Sequence, residues 1–244
     1  MRLRRIVCIG DLLPRMAFDN AQALIFTGID VEKFLDGLSS NKVEINHNEV
    51  IDTLVLDNKA KIIAQMHIFK LNNMYISVTI AEDFNGMIDY LNDKILSQDV
   101  TITNVTNLNH IDIVYNEGKA HDKMKKLREI TQIGINNLYT VEIYSKQLDR
   151  LELNGDEKSF TEWRIDNIIP WYDYEISSSV NPYQCGLNYQ VHENKGCFTG
   201  QEILTRMRTR KKGIYRLVCR ANSDSPTSIA STEGSERSLY LERI

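Results

Sequence analysis

Val50-Ile-Asp-Thr-Leu-Val-Leu56, Ile62-Ile-Ala-Gln-Met-His-Ile-Phe69 and Tyr75-Ile-Ser-Val-Thr-Ile80 are three β-rich runs in close succession. Asp57-Asn-Lys59 parts the first two and Asn72-Asn73 the next two, both with the composition of hairpin turns. Upstream, Leu24-Ile-Phe26 reads as a short strand. Asp30 then caps a helix whose Val31, Phe34, Leu35 and Leu38 fall at i, i+3, i+4 and i+7. Gly37 and Ser39-Ser-Asn41 end it. Downstream, Phe84, Met87, Ile88, Leu91 and Ile95 form the apolar stripe of a second helix. Further out, residues 100–105, 111–115 and 139–144 read as strands and residues 121–130 as a helix. Ser159-Phe-Thr-Glu162 has the capping-box pattern of a helix running through Arg164. Antiparallel strand groups with helices between them predict an α+β fold, its helices on one face of mixed sheets. The Ser-rich last ~30 residues hold two short strands or none.

The chain has 244 residues, 42% hydrophobic and 25% charged, enough apolar content to bury a core and exclude a mainly disordered chain. No apolar run nears the ~20 residues of a membrane span. The basic start, Met1-Arg-Leu-Arg-Arg5, is followed by an apolar stretch too short for a signal peptide, so a cytoplasmic protein is expected. A net charge of −4 argues against a dedicated nucleic-acid binder. Cys8, Cys185, Cys197 and Cys219 form no C-x-x-C pair, and neither a metal site nor a disulfide framework follows.

Asn194-Lys-Gly-Cys-Phe-Thr-Gly-Gln-Glu-Ile-Leu204 is the segment where chemistry concentrates. Gly196 and Gly200 permit a tight loop, and Ile203, Leu204 and Met207 continue as a helix. Cys197 then sits before a helix N-terminus with Lys195 two residues away, and both influences favour a thiolate. Ordinary alternatives stand beside this: an inert buried cysteine for Cys197 and a solvated loop residue for His192.

Lys195-Gly-Cys-Phe-Thr-Gly-Gln-Glu202 resembles the K-G-C-[YF]-x-G-Q-E signature of YgfZ-type folate-binding proteins, relatives of the glycine cleavage aminomethyltransferases. Thr27-Gly-Ile-Asp30 through Phe34-Leu-Asp-Gly-Leu38, Ser39-Ser-Asn-Lys-Val43, the Asp57–Ile62 turn, Trp163-Arg-Ile-Asp-Asn-Ile-Ile-Pro170 and Asn181-Pro-Tyr-Gln-Cys-Gly-Leu187 are similar to further motifs of that family. The resemblance covers residues from about 22 to about 218. It implies an aminomethyltransferase-like folate-binding fold, with α+β modules around a central cavity and a shortened C-terminal β domain. The domains it implies are an N-terminal arm (1–20), the folate-binding domain (21–212) and a truncated C-terminal β segment (213–244).

The implied cofactor is tetrahydrofolate or a derivative, and the implied role is assistance to iron–sulfur cluster assembly or repair. The partners would be the folate and iron–sulfur client proteins. The resemblance makes Cys197 the reactive group with Lys195 tuning it, and assigns cofactor binding to Asp166, Trp171, Asn41, Gln201 and Arg206. If the chain turns over a substrate, one-carbon (aminomethyl) transfer is the implied reaction. That alternative is disfavoured, because Ala64-Gln65 stands where the transferases carry an acidic pair and a glutamine cannot act as a base. Ala60 and Ile168 replace two family glycines. Arg206, Arg208, Arg210, Lys211 and Lys212 would suit a folate glutamate tail, a phosphate or RNA, or merely end a helix in solvent.

Overall fold

The computed structural model describes residues 13–46, 48–116, 123–224 and 229–244. β1 (Arg15–Ala17) and β2 (Ala21–Thr27) lead into α1 (Val31–Leu38). β3 (Val50–Leu56), β4 (Ile62–Leu71) and β5 (Met74–Ile80) follow, then α2 (Phe84–Asp93) and β6 (Thr101–Asn104). β7 (Asn109–Val114), β8 (Met124–Leu127), β9 (Ile130–Ile135) and β10 (Tyr139–Ser145) precede α3 (Glu157–Asp166). After a long segment come α4 (Gln201–Arg210) and the closing strands β11 (Tyr215–Ala221), β12 (Thr232–Glu233) and β13 (Arg237–Arg243).

The strands form three sheets, ordered β3-β4-β5-β2-β6, β1-β7-β10-β9-β8 and β11-β13-β12. Every strand pair in them is antiparallel, where mixed sheets were expected. The α+β class stands. The first sheet is buried on both faces. On one face α1 sets Val31, Phe34, Leu35 and Leu38, and α2 sets Met87 and Leu91, against Leu24, Phe26, Met66 and Ile68. The other face offers Leu54, Phe69 and Val78 to Ile113, Ile133 and Val141 of the second sheet. Phe160 of α3 and Leu204 of α4 join that same core.

Two features of the β3–β4 hairpin matter for the site. Ala60 turns the chain in the left-handed region, φ 62°. The register then slips by one residue: Leu56 faces Ile62 but Val55 faces Ala64, so Ile63 is left over as a bulge. Beyond it Asp52 faces His67 and Leu54 faces Gln65.

Four expectations need correction or refinement. Residues 123–130, expected as helix, contain β8 and the start of β9; His121 and Asp122 lie outside the described residues. The Met124, Leu127, Ile130 spacing mimics a helix, but Arg128 at φ 56° reverses the chain into a hairpin. The α3 cap is Asp156, which accepts the Ser159 N–H while Ser159 Oγ accepts the Asp156 N–H, so the box begins three residues earlier. Within the stretch read as an arm, Arg15–Ala17 pairs with β7, and buried Arg15 meets Glu142 at 3.0 Å. The tail holds a three-stranded sheet that begins at Tyr215.

Candidate functional site

A cavity of about 260 Å³ opens between the first sheet, the β9–β10 turn and the segment after α3. That is just under the ~300 Å³ lower end of drug-sized sites, room for a bicyclic ring but not for a long tail. Trp171, Tyr139, Ile169 and Pro170 form its apolar wall, and Gln65, Asn136 and Tyr189 bring polar groups. No carboxylate, amine, imidazole or thiol is among its lining residues.

Each wall has a local cause. Asn136 and Asn137, both left-handed at φ 50° and 55°, make the tight β9–β10 turn that presents Asn136 to the cavity. Trp171 is fixed by rings on three sides: Phe18 stacked at 5.4 Å, and Phe160 and Tyr139 edge-on at 4.8 and 6.0 Å. Its backbone N–H donates to Glu175 Oε2 at 3.1 Å. Glu175 in turn pairs with Arg164 of α3 at 3.1 Å and accepts from Ser231 and Thr232 at 2.7 and 2.6 Å. Arg164 also donates to the Ile169 carbonyl and to Thr232, and lies over the Tyr174 ring at 4.2 Å. Thus α3, the cavity wall and the C-terminal sheet share one buried carboxylate. Burial raises the phenol of Tyr139 well above its usual range, and the nearby Asp52 charge adds to it, so it presents a neutral hydroxyl; the half-exposed Tyr189 brings a second hydroxyl.

The expected site residues scatter around this cavity. Trp171 lines it. Asp166 does not: at the exposed end of α3 it forms an ion pair with Arg237 at 3.0 Å. The helix ends there, and its last residue turns outward. Asn41 works inside the fold, donating its side-chain amide to the Asp52 carbonyl at 3.0 Å and its backbone N–H to Thr53 at 2.9 Å. Gln201 opens α4 and donates to the Gly196 carbonyl, and Arg206 pairs with Glu202 one turn back in solvent.

Cys197 is an exposed free cysteine on the loop before α4 and is not among the cavity-lining residues. Lys195 does not turn toward it. Its ammonium, 1% exposed, lies among the carbonyls of Asp36, Ser39 and Asn41 at 2.5, 2.7 and 2.9 Å, with the Asp36 carboxylate at 3.2 Å. The unsatisfied carbonyls at a helix C-terminus draw a cation, here one from a distant loop. Burial pulls the Lys195 pKa below its usual value, against the raising effect of Asp36. The loop is anchored a second time at Gly200, φ 83°, where an added Cβ would stand 2.8 Å from Ala60 Cα and 2.9 Å from the Asp57 carbonyl. His192 Nδ1 accepts the Asn194 N–H. Cys185 is fully buried, and burial pushes its thiol up to about 12.

Sequence reasoning missed one pair. Asp52 Oδ1 and His67 Nδ1 meet at 2.6 Å across β3 and β4. Alternation along each strand puts both on the face that carries Gln65. Among the described residues no three His, Cys, Asp or Glu side chains gather as metal ligands would, and no helix is long and apolar enough to cross a membrane.

No protein-family model and no curated protein matches the chain. Its fold is similar to that of the glycine cleavage system aminomethyltransferase T from Bartonella henselae. The TM-score is 0.64 and the identity 10%, over 84% of this chain and 65% of that one. A weaker likeness, TM-score 0.38 and 8% identity over 54% of this chain and 74% of the other, is to the heterotetrameric sarcosine oxidase of Corynebacterium sp. U-96. The chain has the aminomethyltransferase-like fold with a small C-terminal β domain, and spans 65% of the length of the Bartonella protein.

Proposed function

We propose that this chain binds tetrahydrofolate or a related reduced pterin in the Trp171 cavity, and that it is a YgfZ-like assistant of iron–sulfur proteins rather than an aminomethyltransferase. The observation that carries the reading is the chemistry of the cavity: a tryptophan wall, amide side chains and hydroxyls, with no carboxylate; by the sequence resemblance, Gln65 stands where the transferases carry an acidic residue. A flat heterocycle stacks on the indole, at about 0.5–1.5 kcal/mol beyond the burial of its area. Gln65 and Asn136 each offer a donor and an acceptor to the ring edge. The cavity's size holds the pterin head and leaves the benzoyl-glutamate outside. The cofactor supplies a one-carbon carrier when bound. The lining residues hold and orient it, and none of them can shuttle a proton at neutral pH. Cys197, exposed on a loop fastened at Lys195 and Gly200, is the group available to an iron–sulfur client.

Calorimetric titration with tetrahydrofolate tests the reading. Micromolar binding, weakened at least tenfold in Trp171→Leu, is expected; no binding by the unaltered protein would overturn it. Formation of methylenetetrahydrofolate from an aminomethyl donor would instead favour the transferase. For the client role, iron–sulfur enzyme activity in cells lacking the protein should be restored by the wild type and not by Cys197→Ser.

A further inference from the structure

The first sheet ends in β6, and among the described residues no strand pairs with its outer side. Natural sheet edges are blunted by charge, proline or a covering segment, because a bare row of N–H and C=O groups templates another strand. The other edge strands here carry charge: Arg15 on β1, Asp52 on β3, Lys125 and Lys126 on β8, Arg216 and Arg220 on β11, Glu233 on β12. β6 carries none. It lies in a run, Val100 to His110, without Asp, Glu, Lys, Arg or Pro. Three large aliphatic side chains stand out around it: Ile29 at 88% exposure, Leu96 at 84% and Leu108 at 65%. Ile29 and Leu96 flank its start, their N–H groups donating to Asp99 Oδ2 at 3.2 Å and Gln98 Oε1 at 2.8 Å. Leu108 ends the single 3₁₀ turn, Thr106–Leu108, just past its other end.

The Val105 N–H donates to the Ala23 carbonyl at 2.9 Å, in the register that pairs Leu24 with Asn104. Alternation therefore turns the backbone groups of Thr101 and Thr103 toward β2 and those of Ile102 and Asn104 outward. We propose that the β6 edge is a homodimer interface, at which two copies of this chain pair β6 antiparallel about a two-fold axis at Thr103. In that register Ile102 of each copy faces Asn104 of the other. The two pairs make four hydrogen bonds, which use every outward N–H and C=O of the strand. An axis at Ile102 would instead set Asn104 against Val100, whose N–H is already held by the Gln98 carbonyl at 3.0 Å. This self-complementarity selects a second copy as the occupant. The same register brings Leu108 of one copy alongside Gln98 of the other, next to Ile29 and Leu96, so the exposed aliphatics cover one another at both ends. It sets Asp99 opposite Asn107 of the other copy. Lys146, whose N–H donates to the Leu108 carbonyl, comes near that carboxylate; both charged residues are exposed. No like charges oppose one another along the strand. The two five-stranded sheets become one continuous sheet.

A short ladder with a few aliphatic contacts is a small interface, so a dissociation constant on the order of 10–100 µM is expected. Sedimentation equilibrium on the full chain should show the 28.2 kDa protomer giving way to twice that mass across this range. Thr103 is the probe, because it is exposed and meets its own copy across the axis, with Cα atoms about 4.5 Å apart in such a pair. Like charges directly opposite are repulsive, so Thr103→Lys and Thr103→Glu should each weaken self-association by about tenfold or more. An equimolar mixture of the two variants should restore it, through a Lys–Glu pair at the axis. Urea unfolding of each variant reports whether the fold is kept. Amide exchange on the wild type gives a reading without any variant: protection at Ile102 and Asn104 should rise with protein concentration, while Thr103, already bonded to β2, should not change. A wild type that stays monomeric at about 500 µM would overturn the pairing and leave the edge to a foreign strand. A dimer that persists in both T103K and T103E, or a mixture that associates no better than either alone, would overturn it as well.

Discussion

Glu175→Gln is the most informative single substitution for the integrity of the site. Four donors converge on this carboxylate: Arg164, the Trp171 backbone N–H, Ser231 and Thr232, at 2.6–3.1 Å. Both charged side chains are sealed, with 1% and 0% exposure. The amide keeps the shape but removes the charge opposite Arg164 and turns an N–H toward one pair of donors. Breaking a buried ion pair from one side costs about 3–5 kcal/mol, because the remaining ion stays desolvated and uncompensated. Taking about 4 kcal/mol, and 2–4 °C per kcal/mol for a domain of this size, Tm should fall by roughly 10 °C. Urea unfolding at neutral pH gives the free energy directly, and an unchanged m-value shows that the native state stayed compact. The companion Arg164→Met/Glu175→Met removes both charges and should cost less than E175Q alone. Tetrahydrofolate affinity should fall with E175Q, since the Trp171 backbone loses its acceptor. A loss below about 1 kcal/mol, or a double variant less stable than the single, would refute a buried pair holding the wall.

Other outcomes follow from the loop and the buried thiol. Gly200→Ala places a Cβ against the Asp57–Ala60 turn and forces Ala to φ 83°, so it should cost about 3 kcal/mol in urea unfolding. Lys195→Met strands three buried carbonyls at the end of α1 and should cost about 3 kcal/mol; Lys195→Arg should not rescue it, because a planar guanidinium does not match that cluster. Folding raises the Cys185 thiol from 9.0 to about 12, so the folded state holds its proton while the unfolded chain releases it. Its stabilising contribution is therefore full below pH 9 and is lost as pH climbs toward 12; Cys185→Ala should flatten the first part of the decline, before the tyrosines titrate. At pH 8, iodoacetamide followed by mass spectrometry should label Cys197 in the native protein and Cys185 only after denaturation.

Much of the fold was legible because local pattern and burial agree. The α1 residues at i, i+3, i+4 and i+7 are the ones buried, and the three β runs pair through the turns that their Asp and Asn residues mark. The failure at residues 123–130 has a physical source: three apolar residues at helical spacing fit an edge hairpin equally well once Arg128 turns left-handed. The site was less legible. Trp171 follows Pro170 into a loop, a recognisable place for a wall residue. Asp166, one position past buried Ile165, lies about 100° further round α3 and is exposed, and which side a helix-terminal carboxylate faces depends on packing. The proximity of Lys195 to Cys197 in sequence says nothing of where a long side chain ends; four acceptors at and just beyond the end of α1 decide it. The Asp52–His67 pair cannot be found by counting back from the turn, since a symmetric count sets Asp52 opposite Met66.

That one-residue slip has a wider consequence. Strand residues behave like the two colours of a chequerboard row, and an odd insertion swaps the colours beyond it. Up to Ile62 the even-numbered position of β4 looks into the inter-sheet core; after Ile63 the odd-numbered ones do, so Gln65, His67 and Phe69 share that side and Ala64, Met66 and Ile68 go to α1 and α2. Were Ile63 taken into the ladder as an ordinary strand residue, the same letters would send the amide and the imidazole beneath the helices and turn Ala64 and Met66 toward the inter-sheet core. The polar character of the cavity thus depends on the parity of the hairpin as well as on the identity of its residues. Deleting Ile63 would straighten the hairpin and leave Gln65, His67 and Phe69 on their present side.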